Sequence, residues 1–96
     1  MKNQIKIGEP RRLLMFLSEP YAIFTRMGYQ PVIDVQDVQS GERGYLVISA
    51  VSLGEPLHKI AVRNQGTLLD KTISLRKESS DRMSKYLVID PNGSED

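Results

Sequence analysis

Few residues in this chain could do covalent or acid-base chemistry. There is one histidine, His58, and no cysteine among 96 residues, which removes a thiolate nucleophile, a disulfide framework, a cysteine zinc site and a multi-histidine metal site together. Asp34 and Asp37 stand three apart in an extended run, so their side chains point to opposite faces, a poor arrangement for an acid-base pair or a shared metal. Both are expected to face solvent. Gly41 and Gly44 enclose Glu42 and Arg43 with no Gly-Lys-Ser/Thr following, so no phosphate loop is encoded. His58 has no nucleophile elbow near it and reads as a surface or boundary residue of a helix. Neither an enzymatic activity nor a cofactor is expected.

What remains is aromatic and cationic, residue types that can stack on planar groups and hold anions. Thirteen cations against twelve acids leave a net charge of +1, too little to announce a polyanion partner, so the distribution matters more. From 71 to 85 five cations face Glu78 and Asp81, whereas 34 to 42 holds three acids and no cation. A solvated edge strand would also carry such lysines and arginines. Tyr21 and Phe24 read as core.

The elements that must hold these residues are mostly strands. Segments 12–17 and 21–25 are separated by Pro20, which breaks any helix joining them, and the β-branched and aromatic content of 21–25 favours a strand. Gly28 through Pro31 reads as a turn, which puts Arg26, Tyr29 and Gln30 in a loop. A strand over 32–38, a loop at 40–44 and a strongly β-forming run over 45–51 follow. If Leu46, Ile48 and Ala50 point inward, Tyr45, Val47 and Ser49 point outward. Ser52 with Glu55 resembles a capping box, and Leu53, Leu57, Ile60 and Ala61 share one face at helical spacing, so one helix is expected within 52 to 65. Lys71 to Arg76 then alternates with period two, which puts Ile73 and Leu75 inside and Thr72, Ser74 and Arg76 outside. After a polar loop, 86–89 is the last strand. One domain over 1–90 with a short polar tail at 91–96 accounts for the length. No apolar run approaches the ~20 residues of a membrane span, and no leader is evident at the amino end, so a cytoplasmic protein is expected.

The pattern that carries a resemblance comprises Thr25, Arg26, Met27, Gly28; Asp34, Val35; Tyr45, Leu46, Val47, Ile48; Ser52, Leu53; Gly66 through Leu75; and Tyr86, Leu87, Val88. Over residues 21 to 90 it resembles small single-stranded-DNA-binding proteins of phage and archaeal type. The resemblance implies a mainly β fold: a five-stranded, oligonucleotide/oligosaccharide-binding-like Greek-key barrel with its helix between strands 3 and 4. It also implies single-stranded DNA, with RNA as an alternative, as the partner in a replication or repair setting. Such a barrel binds across strands 2 and 3 and the loops 1-2 and 4-5, which selects Arg26, Tyr29, Arg43, Tyr45, Arg76, Lys77, Arg82, Lys85 and Tyr86. Asp70 stands where such chains often carry glycine; aspartate tolerates the left-handed conformation comparatively well. The rival expectation is a protein-interaction module using the same barrel, which docks a partner in a larger assembly through an exposed strand edge or the acidic second strand; the partner is another protein or, in a homo-oligomer, a second copy.

Overall fold

The computed structural model describes residues 3–81 and 83–91. In these the chain forms β1 (Asn3–Gln4), β2 (Arg12–Phe16), β3 (Tyr21–Thr25), β4 (Gly28–Asp37), β5 (Arg43–Val47), α1 (Val51–Arg63), β6 (Thr72–Lys77) and β7 (Tyr86–Ile89). The mainly β class and the single helix after β5 agree with expectation. The five-strand count does not: seven strands form one sheet in the order β1-β5-β4-β2-β6-β7, with β3 also paired to β4. Among the described residues no helix is long and apolar enough to cross a membrane.

β4 is long enough to serve two partners along one edge. β2 pairs with it antiparallel at Val35 to Asp37, and β3 pairs with it at Gly28 to Val32. The break between β2 and β3 falls at Ser18 to Pro20, where the Ser18 hydroxyl accepts the Asp34 N–H at 3.0 Å and keeps the interrupted edge satisfied. The other edge of β4 pairs antiparallel with β5.

One face of this curved sheet makes the core. Leu14, Phe16, Ile33, Val35, Leu46, Ile73 and Leu75 are buried there, and α1 lays Leu53, Leu57 and Ile60 across them. Alternation in β6 places Ile73 and Leu75 inside as anticipated. Ser74 lies on the other face, opposite Leu13 and Ile89, yet is only 4% exposed rather than solvent-facing. Ala50 does not fill the core; it is exposed and is the N-cap of α1. Ser52 does not cap the helix either. Its hydroxyl accepts the Tyr86 N–H at 3.1 Å, tying the first turn of α1 to β7. Pro56 sits beyond the first turn, inside the helix.

No pairing joins β5 to β7 among the described residues. The amino-terminal segment instead runs from the edge of β5 to β6: Ile5 N–H donates to the Tyr45 carbonyl and Lys77 N–H to the Gly8 carbonyl, each at 2.8 Å. Ile5 and Ile7 are buried core residues. The approach depends on Gly44, where a Cβ would lie 2.1 Å from the Asn3 carbonyl oxygen. At the opposite end of α1, Asp70 has φ +67°, and its N–H reaches the Phe16 carbonyl at 2.8 Å. Lys71 then pairs with Asp90 at 2.7 Å, joining the start of β6 to the residue after β7.

Candidate nucleic-acid interface

β3 and the first residues of β4 form a two-stranded arm that runs past β5, whose pairing with β4 spans only Val32 to Gln36. The expected turn at Gly28 to Pro31 is absent. The chain reverses at Arg26 and Met27, and the Thr25 hydroxyl accepts the Met27 N–H at 3.1 Å. Gly28, the first residue of β4, closes the hairpin at φ +94°, so its conformational freedom is used where the strand begins. Tyr29, Gln30 and Pro31 therefore belong to a strand rather than to a loop. Pro31 is tolerated because it faces Ala22 in a pair that needs no N–H from it.

Alternation gives the arm two unlike faces. Ala22, Phe24, Tyr29 and Pro31 share one, and all four are exposed. Phe24 and Tyr29 stand directly opposite each other, with ring centroids 5.1 Å apart in an edge-to-face arrangement. They are 75% and 74% exposed, so Phe24 is not the core residue its apolar neighbourhood suggested. An open groove of about 350 Å³ runs beside them, lined by Pro20, Tyr21, Ala22, Tyr29, Gln30 and Pro31. Arg26 and Met27 are exposed at the tip.

The second face continues across β4 and β5. Tyr45 is half-buried there opposite Asp34, and Val47 lies opposite Val32, as expected from the burial of Leu46. Tyr21 is also on this face, is 37% exposed, and donates its hydroxyl to Asp34 at 2.5 Å, so it is not a core residue either. Arg43, exposed, stands at the end of the same row opposite Gln36.

The basic carboxyl third is not gathered into one groove. Arg76 is half-buried and donates from Nε to the Glu9 carbonyl at 3.2 Å. Lys77 and Tyr86 face each other across β6 and β7 and turn toward the core side, with the ammonium 5.1 Å from the ring centroid. Tyr86 packs against the core, and burial pushes its phenol above the ordinary value. Lys85 is exposed beyond them. Arg82 lies outside the described residues. Thus Arg26 and Tyr29 come together on the arm and Arg43 and Tyr45 on the outer face, while Arg76, Lys77 and Tyr86 are occupied elsewhere.

Asp37 is not solvent-facing. Its side chain is 8% exposed and bonds Arg12 Nε at 2.9 Å, while Gln39 and Ser40 donate their N–H groups to Oδ1 at 2.9 and 3.1 Å. Arg12 also reaches Glu42 at 2.5 Å and the Lys6 carbonyl at 3.1 Å. Burial works against the Asp37 charge, but the N–H groups of Ser40 and Gln39 and the Arg12 guanidinium outweigh it and hold the carboxyl below its ordinary value. His58 is exposed on α1, at the rim of an apolar groove with Pro20, Leu57 and Leu68. Phe24 is the candidate that sequence reasoning missed; the signal available was its register opposite Tyr29 in a hairpin closed by Gly28. No family model, curated protein or solved structure matches the chain.

Proposed function

We propose that the protein binds single-stranded nucleic acid without catalysis, DNA before RNA, through the β3-β4 arm and the adjoining outer face of β4 and β5. The observation that carries this reading is the Phe24 and Tyr29 pair, two rings three-quarters exposed on one face of a projecting hairpin. Exposed rings stack on bases of any sequence, and each stacked base contributes about 1–3 kcal/mol. Arg26 at the tip provides a phosphate contact beside the two rings, and a strand wrapping around the arm onto its opposite face reaches Tyr45 as a further ring and Arg43 as a second phosphate contact.

The strand order supports the same reading. With β2 and β3 taken as one bent first strand, β5-β4-β2-β6-β7 with α1 after β5 fits an oligonucleotide/oligosaccharide-binding barrel of the partly open kind. In that frame the arm is the extension of strands 1 and 2.

Titration of labelled oligo-dT, oligo-U and duplex DNA at two salt concentrations tests the proposal. Phe24→Ala and Tyr29→Ala should each weaken oligo-dT binding about 5- to 150-fold, the equivalent of about 1–3 kcal/mol, with little change in stability. Two phosphate contacts imply a log-log salt slope near −1.4, at about −0.7 per contact. Unchanged affinity in both variants refutes the assignment. The rival reading, a protein-interaction module, is favoured by one observation, the unprotected edge of β3.

A further inference from the structure

β3, with the sequence Tyr-Ala-Ile-Phe-Thr, is an edge strand without a charge, a proline or a bulge. Edge strands left so bare template pairing with another chain, and proteins ordinarily blunt them. We propose that this edge is the interface with a second copy of the chain, joined antiparallel about a two-fold axis at Ile23.

The backbone selects that register. Because Pro31 has no N–H, its pair with Ala22 is of the non-hydrogen-bonded type, so Tyr21 and Ile23 direct their backbone groups toward β4. Ala22 and Phe24 direct theirs toward the open edge, where no strand of the described residues pairs with them. Residues opposite one another across a sheet share a face, so a two-fold axis must pass through Ala22, Ile23 or Phe24. An axis at Ala22 sets Phe24 opposite Pro20 of the second copy, which lacks a donor. An axis at Phe24 sets Ala22 opposite Arg26 of the second copy, in the turn. With the axis at Ile23, Ala22 and Phe24 of the two copies exchange all four edge-directed N–H and all four C=O groups.

Side chains agree with this register. Arg26, exposed at the tip, comes opposite Pro20 of the second copy and beside its exposed Glu19, whose Oε2 accepts the Thr67 hydroxyl, so each end of the interface brings a cation near a carboxylate. On the exposed face, Pro31, Ala22, Phe24 and Tyr29 become a four-strand surface in which Phe24 of each copy meets Ala22 of the other. The two Phe24 and Tyr29 pairs then lie on one continuous face. This assembly goes beyond nucleic-acid binding and stands without it.

The chain has no cysteine, so one introduced cysteine reports one position. Ile23 meets its own counterpart as a non-hydrogen-bonded pair, with Cα atoms about 4.5 Å apart, within the roughly 4.4–6.8 Å a disulfide spans. Mild oxidation of Ile23→Cys should give a disulfide-linked dimer nearly quantitatively. Ala22→Cys, opposite Phe24, should link at least tenfold more slowly, while a mixture of Ala22→Cys and Phe24→Cys should form the mixed dimer. Unmodified protein should show a concentration-dependent monomer-dimer equilibrium by sedimentation velocity, weakened at least tenfold by Ala22→Pro, which removes an N–H that β4 does not use. A monomer at every concentration, or equal linking of Ile23→Cys and Ala22→Cys alone, overturns the proposal. All of these measurements are made without nucleic acid, so they separate this assembly from the binding reading.

Discussion

Removing the Asp37 carboxylate tests how one end of the core is sealed. Asp37 shares the inward face of β4 with Ile33 and Val35, yet it is an ionised group 6% exposed as a residue. Arg12 lies across the strand boundary, with 23% of its side chain exposed. Breaking a buried pair by deleting one partner costs about 3–5 kcal/mol. Arg12 keeps Glu42 and the Lys6 carbonyl, so Asp37→Ala should fall at the lower end, about 3 kcal/mol. At roughly 4–8 °C per kcal/mol for a domain of this size, the melting temperature should drop by about 12–24 °C. Asp37→Asn keeps an oxygen for the Gln39 and Ser40 N–H groups and loses the charge, so it should cost about half as much. The pH dependence has a definite sign. A carboxyl held below its unfolded value, about 3.9 for aspartate, contributes stability that is present above that pH and is lost as pH falls through the folded value. Urea melts of wild type and Asp37→Asn at pH 7, 4 and 2.5 should converge toward acid. A loss below about 1 kcal/mol for Asp37→Ala, or parallel acid slopes for wild type and Asp37→Asn, refutes this reasoning.

Gly44→Ala should displace the amino-terminal segment, because the new Cβ meets the Asn3 carbonyl oxygen at 2.1 Å. Partial exposure of Ile5 and Ile7 should cost about 2–4 kcal/mol, and faster amide exchange at Ile5 and Lys77 is the readout. Asp70→Val should lose about 1–3 kcal/mol by thermal melting, since a β-branched residue is strained at φ +67°. Asp70→Gly should be no less stable than wild type.

Period and turn chemistry made β6, β7 and α1 legible, because Ile73 and Leu75 alternate with polar neighbours and Leu53, Leu57 and Ile60 recur at helical spacing. Asp70, φ +67°, was singled out by the resemblance, in which glycine often stands there, and not by a local pattern. Non-local pairings were not legible. Whether Gly44 flanks a loop or receives a backbone depends on residues some forty positions away. The burial of Ile5 and Ile7 was not read at all, because it depends on the segment being placed between β5 and β6. Asp37 had the parity of a core residue, and its partner Arg12 is brought to it only by the β2-β4 register. Gly28 and Pro31 both favour turns, yet only the glycine was used for one, since an edge-paired strand accommodates the proline. Of the candidate site, Tyr29, Tyr45, Arg26 and Arg43 came from sequence, whereas Phe24 was lost because apolar parity does not reveal where a core ends.

The inward parity of β4 runs Tyr29, Pro31, Ile33, Val35, Asp37, and these five positions meet three environments. At one end an ion pair closes the interior. In the middle Ile33 and Val35 are fully buried. At the other end the strand outruns the core, and the same parity delivers Tyr29 and its neighbour Phe24 to solvent. Burying an aromatic or large aliphatic side chain contributes about 1.5–3 kcal/mol, most of which the monomer forgoes at both rings. The core makes little use of them, since both rings are three-quarters exposed. Their contiguity with Ala22 and Pro31 makes an exposed apolar patch rather than scattered exposure, and both proposed contacts are placed on this hairpin. In the two proposed contacts, a stacked base would recover the ring faces and a second copy the backbone of β3 beside them. The two occupants use different atoms of the same hairpin, which is why the cysteine series and the oligo-dT titration can succeed or fail separately.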